Sequence, residues 1–146
     1  MFGERRSAHI LLTVVCLGAT MAVGGCGNKM ELAPVSGKVT VGDKPLMVGM
    51  VRYVADPSQG NQAKVTPSGM VGADGSYELA TNGKPGAPAG WYRVVVITKV
   101  PGMAPSAEGK EEPSVDAKYA KQDTTPLSIE VKPGAPAHAY DLRLEP

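Results

Sequence analysis

From residue 34 onward, apolar and polar positions alternate with a period of two in short runs separated by Gly, Pro, Asn and Asp, the pattern of half-buried strands. Seven such runs are present. Val35 to Val41 puts Val35, Val39 and Val41 on one face and Ser36, Lys38 and Thr40 on the other, and Gly42-Asp43-Lys44-Pro45 turns the chain. Val48 to Val54 places Val51 and Tyr53 inward and Arg52 outward, and residues 56 to 64 read as a loop. Ser68 to Ala73 and Ser76 to Ala80 flank Asp74-Gly75, whose tolerance of positive backbone angles predicts a two-residue hairpin with Tyr77 and Leu79 inward. After a Gly- and Pro-rich loop from 81 to 90, Trp91 to Thr98 is the most continuously apolar run; it predicts a central strand with Tyr92, Val94 and Val96 on the core face. Leu127, Ile129 and Val131, then Tyr140, Leu142 and Leu144, alternate with polar residues in the last two strands.

No stretch of useful length spaces apolar residues by three and four, and 18 Gly and 13 Pro are costly inside helices. The fold class is therefore all-β. Strands with one apolar face each bury it most simply as two packed sheets, so the expectation is a seven-stranded antiparallel Greek-key sandwich over residues 35 to 146, with a closed barrel as the alternative.

The chain before residue 34 is patterned differently. Arg5 and Arg6 precede an uncharged apolar stretch from Ile10 to Val23, the form of a signal peptide and shorter than the roughly 20 residues of a membrane-crossing helix. Val23-Gly24-Gly25-Cys26 follows, and resembles the bacterial lipobox. The resemblance implies cleavage between Gly25 and Cys26, a thioether-linked diacylglycerol on the Cys26 sulfur and acylation, for example by palmitate, of the new amino terminus. Residues 1 to 25 are then a removed signal peptide and 26 to 34 a lipidated tether. The only other cysteine, Cys16, lies in the discarded segment, so no intramolecular disulfide competes for Cys26. Two or three acyl chains, at roughly 0.8 kcal/mol per buried methylene, hold a protein on a membrane where one chain is marginal.

Charge narrows the partners. Of 15 basic and 14 acidic residues, Arg5, Arg6 and Glu4 leave with the signal, so 13 of each remain, interleaved. Such a chain has no basic stripe for phosphates, which speaks against nucleic acid. The expected partners are membrane lipid, through Cys26, and an envelope protein or glycan. Gly27 rather than aspartate after the cysteine favours the outer membrane by resemblance to proteobacterial sorting.

Four segments carry a resemblance: Pro34-Val35-Ser36-Gly37-Lys38-Val39-Thr40-Val41 with Lys44-Pro45-Leu46; Ala73-Asp74-Gly75-Ser76-Tyr77-Glu78-Leu79; Gly90-Trp91-Tyr92-Arg93-Val94-Val95-Val96; and Lys118-Tyr119 with Thr125-Pro126-Leu127. The first three are similar to the carboxypeptidase regulatory-like, transthyretin-like domain; with the fourth, the chain more closely resembles planctomycete lipoproteins that carry one such domain behind a lipobox and have a Lys-Tyr segment and a Thr-Pro-Leu strand start after the central strand. Gly42-Asp43 departs from the more usual Asp-Gly or Asn-Gly, and no proline stands two residues before Lys118. The resemblance implies a fold and leaves the function open.

Candidate chemistry is sparse. His138 is the single histidine after residue 25, and an acylated Cys26 is no nucleophile, so neither a Cys/His pair nor a multi-histidine metal site can be built. The hydroxyisourate hydrolases of the transthyretin-like fold need histidines and a C-terminal Tyr-Arg-Gly-Ser, whereas this sequence reads Asp141-Leu142-Arg143-Leu144-Glu145-Pro146. Glu108, Glu111, Glu112 and Asp116 cluster in the connection from 100 to 125, where solvation explains them better than paired-carboxylate catalysis or calcium binding. No cofactor, metal or catalytic residue is expected. Trp91, Tyr92 and Tyr119 are the candidate ligand contacts, and Tyr119 is also expected to pin the far end of that connection. The leading expectation is a non-catalytic interaction or structural module of the cell envelope; the alternatives are a carbohydrate-binding module and a hydrolase using carboxylates alone.

Overall fold

The computed structural model describes residues 30–102 and 114–146; Gly25, Cys26, Glu108, Glu111 and Glu112 lie outside the described residues. Among the described residues the chain forms twelve strands: β1 Leu32–Ala33, β2 Ser36–Val41, β3 Lys44–Pro45, β4 Gly49–Ala55, β5 Ser68–Val71, β6 Ser76–Glu78, β7 Ala80–Thr81, β8 Lys84–Pro85, β9 Ala87–Pro88, β10 Gly90–Ile97, β11 Ser128–Val131 and β12 Leu142–Leu144. Two 3-10 helices, Pro57–Gln59 and Ala117–Ala120, complete them. The described residues are mostly β, and the expected long strands are all present. None of its described helices is long and apolar enough to cross a membrane.

The long strands form one curled sheet in the order β11-β10-β4-β5-β6-β2-β12. Alternation sets the register. Tyr92 lies opposite Ala55, Val94 opposite Tyr53 and Val96 opposite Val51, so every second residue of β10 and β4 faces the same interior. Val39, Val51, Tyr53, Leu79, Tyr92 and Val94 have no exposed surface. Leu127 and Ile129, expected inside, are only partly buried, because β11 is the edge strand. Val95, on the outer face of β10, is also buried, beside Ala120 of the second 3-10 helix in a shallow surface recess.

The expectation of a wholly antiparallel sheet needs a correction: β12 runs parallel to β2, with Leu142 opposite Val39 and Leu144 opposite Val41. β11 and β12 lie at opposite ends of the strand order, and the chain between Val131 and Leu142 crosses from one to the other. β10 is likewise one strand from the edge rather than central.

Turn chemistry explains the other differences. Gly42 has φ 57°, and β2 and β3 are joined through Gly42-Asp43 with Val41 opposite Lys44. A glycine at the first central position is what a type II′ hairpin demands, so Gly-Asp replaces Asn-Gly at no cost. The hairpin at Asp74-Gly75 has three loop residues instead of two: the Gly75 N–H donates to Gly72 O at 2.9 Å, the Gly72 N–H donates to Ser76 O at 2.8 Å, and Gly75 takes φ 80°. Asp74 Oδ1 accepts from the Ser76 amide at 3.1 Å and fixes that bulged form. The expected loop from 81 to 90 contains a further hairpin, β7–β8, around Asn82 (φ 50°) and Gly83 (φ 77°).

Candidate functional site

β1 pairs with β9 as a separate two-stranded clasp, Leu32 opposite Pro88 and Ala33 opposite Ala87. Gly86 makes this docking possible. Its φ is 102°, and a Cβ there would lie 2.5 Å from the Ala33 carbonyl oxygen. The Leu79 amide donates to Val35 O at 2.9 Å and the Gly86 amide to Leu79 O at 2.7 Å, so the chain is tied down continuously from residue 32 into β2.

Beside this clasp stands the one aromatic among the expected ligand contacts that is not fully buried, Trp91. Its carbonyl accepts from the Asp56 amide at 3.0 Å and from Asn61 Nδ2 at 2.9 Å. Asp56 is 5% exposed. Its Oδ1 accepts from the Ser58 amide at 3.0 Å and the Ser58 hydroxyl at 2.6 Å, and its Oδ2 from Arg93 Nε at 3.2 Å. The hydrogen bond from the Ser58 hydroxyl, then the backbone amide and the Arg93 guanidinium, hold the carboxyl below its ordinary range against the opposing effect of burial. The sequence carried a local sign of this loop in Asp56-Pro57-Ser58, an Asx turn opening a 3-10 helix. The Arg93 partner, 37 positions away, had none.

Tyr92 and Tyr119 do not join Trp91. Tyr92 has no exposed surface; its hydroxyl donates to Pro88 O at 2.8 Å and its ring packs 5.7 Å from that of Tyr53. Tyr119 is 2% exposed, and its hydroxyl accepts from the Glu145 amide at 3.1 Å, at the opposite end of the strands. The Lys118 ammonium lies 5.0 Å from its ring and 2.7 Å from Glu145 Oε2, a carboxylate that raises the lysine pKa. Both tyrosines therefore serve packing in this structure, and Tyr119 holds the connection against the fold as expected. Asp116 accepts from the Lys118 amide at 2.9 Å and so caps the 3-10 helix.

An open groove of about 410 Å³ between β2, β6 and the run into β12 was not legible in the sequence. Lys38, Tyr77, His138, Tyr140 and Asp141 line it. His138 takes a left-handed φ of 65° and its Nδ1 lies 3.0 Å from Asp141 Oδ2, while Asp141 Oδ1 accepts from the Lys38 amide at 2.9 Å. Asp141 thereby ties the crossover to β2. Beneath it Tyr77 donates to Tyr140 O at 2.5 Å, and Tyr53 and Tyr77 hydroxyls meet at 2.9 Å. Burial, chiefly, pushes both phenols well above the ordinary tyrosine value. Tyr77, His138 and Asp141 each hold hydrogen bonds within the protein here, which makes the groove a structural joint. Among the described residues no three His, Cys, Asp or Glu side chains are grouped to hold a metal ion.

Comparison of the chain with models of protein families, with curated proteins and with solved structures finds no match.

Proposed function

We propose that this chain is an exported lipoprotein, acylated at Cys26 and displaying a non-catalytic β-sandwich of the transthyretin-like, carboxypeptidase regulatory-like kind on an envelope membrane, the outer membrane by preference. The observation that carries the reading is the pairing of Leu32 with Pro88: an apolar signal segment and a small-small-Cys junction are followed, six residues beyond Cys26, by chain already bound into a folded domain. A domain attached so closely works where its lipid puts it. Among the described residues, four of the side chains offered for other functions are engaged in holding the fold. Asp116 is a helix cap, His138 is bonded to Asp141, and Tyr92 and Tyr119 are in the core. The carbohydrate-binding reading then rests on Trp91 alone. The expected partner is an envelope protein or wall component met through loops or an edge strand.

Intact mass and detergent partitioning of the full chain expressed in a bacterial host, beside Cys26→Ala, test the anchor. A mature chain beginning at Cys26 with the added mass of acyl chains, partitioning into detergent only while the cysteine is present, is the expected result. A soluble chain of unmodified mass from the wild-type sequence overturns it.

A further inference from the structure

The two ends of the strands are distinct places. At one end β2, β5 and β10 begin and β4 and β6 finish, and here Gly86 meets Ala33, Gly90 meets Asn61 and the β1–β9 clasp closes. At the other lie the Gly42-Asp43 turn and the Ala73–Gly75 turn, whose Gly75 packs on Pro45, while Gly49 packs on Leu46 and the Ile97 carbonyl. β10, with its 8 residues, spans about 26 Å between these ends at about 3.3 Å per residue.

Resting on the lipid anchor proposed above, we infer that the clasp end, with Trp91 and the Asp56–Asn61 loop, lies against the membrane surface, and that the end carrying Gly42-Asp43 and Ala73–Gly75 points away from it. Six residues from Cys26 to Leu32 reach at most about 22 Å when fully extended. An inverted domain would hold Leu32 about 26 Å or more above the lipid, beyond that reach. The orientation therefore follows from where the chain first docks. The surface chemistry agrees: Met30 is 51% exposed and Trp91 only partly buried at the clasp end, an apolar side chain and an indole suited to a headgroup boundary.

The test uses the full lipidated chain in phosphatidylcholine vesicles carrying a headgroup spin label. Once Cys26 is acylated, an introduced cysteine is the only free thiol, so a fluorophore can be placed at Gln59→Cys, on the Asp56–Asn61 loop, or at Asp43→Cys; Trp91 is a third, intrinsic probe. Loss of fluorescence at Gln59→Cys and Trp91 with none at Asp43→Cys is the expected result. An insertion of about ten Gly and Ser residues after Met30, which lengthens the tether without touching the clasp, is expected to abolish the contrast. Equal or greater loss at Asp43→Cys, no loss at any position in a chain that floats with the vesicles, or a contrast indifferent to tether length each overturns the orientation. A chain whose mass lacks acyl groups overturns the anchor itself and this inference with it.

Discussion

Tyr77 holds a position that no apolar residue of its shape could fill. Its hydroxyl donates to the Tyr140 carbonyl, so in the contact with Tyr53 it must accept and Tyr53 must donate. Both rings are buried, and the two bonds join β4 and β6 to the chain entering β12. Removing the oxygen at Tyr77 orphans two groups, the Tyr53 hydroxyl and the Tyr140 carbonyl, each costing about 1–3 kcal/mol when left unpaired away from water. Removing it at Tyr53 leaves Tyr77 with its own acceptor intact and costs a net hydrogen bond, about 0.5–1.5 kcal/mol. Tyr77→Phe is therefore expected to destabilise the domain more than Tyr53→Phe, with the order of the urea midpoints as the check; the reverse order would mean that Tyr77 does not bridge. Alternation in the sequence placed both rings inside. It could not show that they meet, because their partnership is set by strand order and not by either strand.

Strands were legible wherever one face is buried and the other wet, which is why the inward residues of β2, β4, β6, β10 and β12 follow from period two alone. The same alternation already turned Tyr92 inward, and its reading as a ligand contact went against that pattern. Asn82-Gly83 was a strong hairpin signal hidden among neighbouring glycines and prolines. The parallel neighbour of β2 left no local trace, since Val39 and Leu142 meet across most of the chain. Gly69 shows a constraint of the element that composition also conceals. It sits opposite Val51 in β5, and a Cβ there would fall on the Glu78 carbonyl of β6. Gly69→Ala must push β5 and β6 apart, at about 1–3 kcal/mol for an overpacked interior, whereas Met70→Ala, on the outward side chain 46% exposed, is expected to change stability by no more than about 0.5 kcal/mol. Thermal melting of the two variants checks this, and equal melting temperatures would place β6 further from β5 than the structure has it.

For the molecule as a whole, the decisive pairing is between β2 and β12, because the sheet curls without either edge bonding to the other and its far edge is covered only when β12 arrives. Two further ties draw the edges together: Tyr140 bonds to Lys132 beyond β11, and Tyr119 bonds to Glu145 beyond β12. Leu142 and Leu144 are each 2% exposed, and burial of such a side chain contributes about 1.5–3 kcal/mol. Together they amount to a large share of the roughly 5–15 kcal/mol by which a domain is stable, before counting the uncovering of Val39 and Val41. Deleting residues 142–146 is expected to abolish the cooperative thermal transition and to produce binding of a hydrophobic dye. Deleting only Glu145 and Pro146 removes an exposed ion pair with Lys118 and the amide that meets Tyr119, and is expected to lower the melting temperature while keeping a single transition. If the longer deletion still melted cooperatively, the six strands from β11 to β2 would be a self-sufficient fold, and β12 an appendage on it.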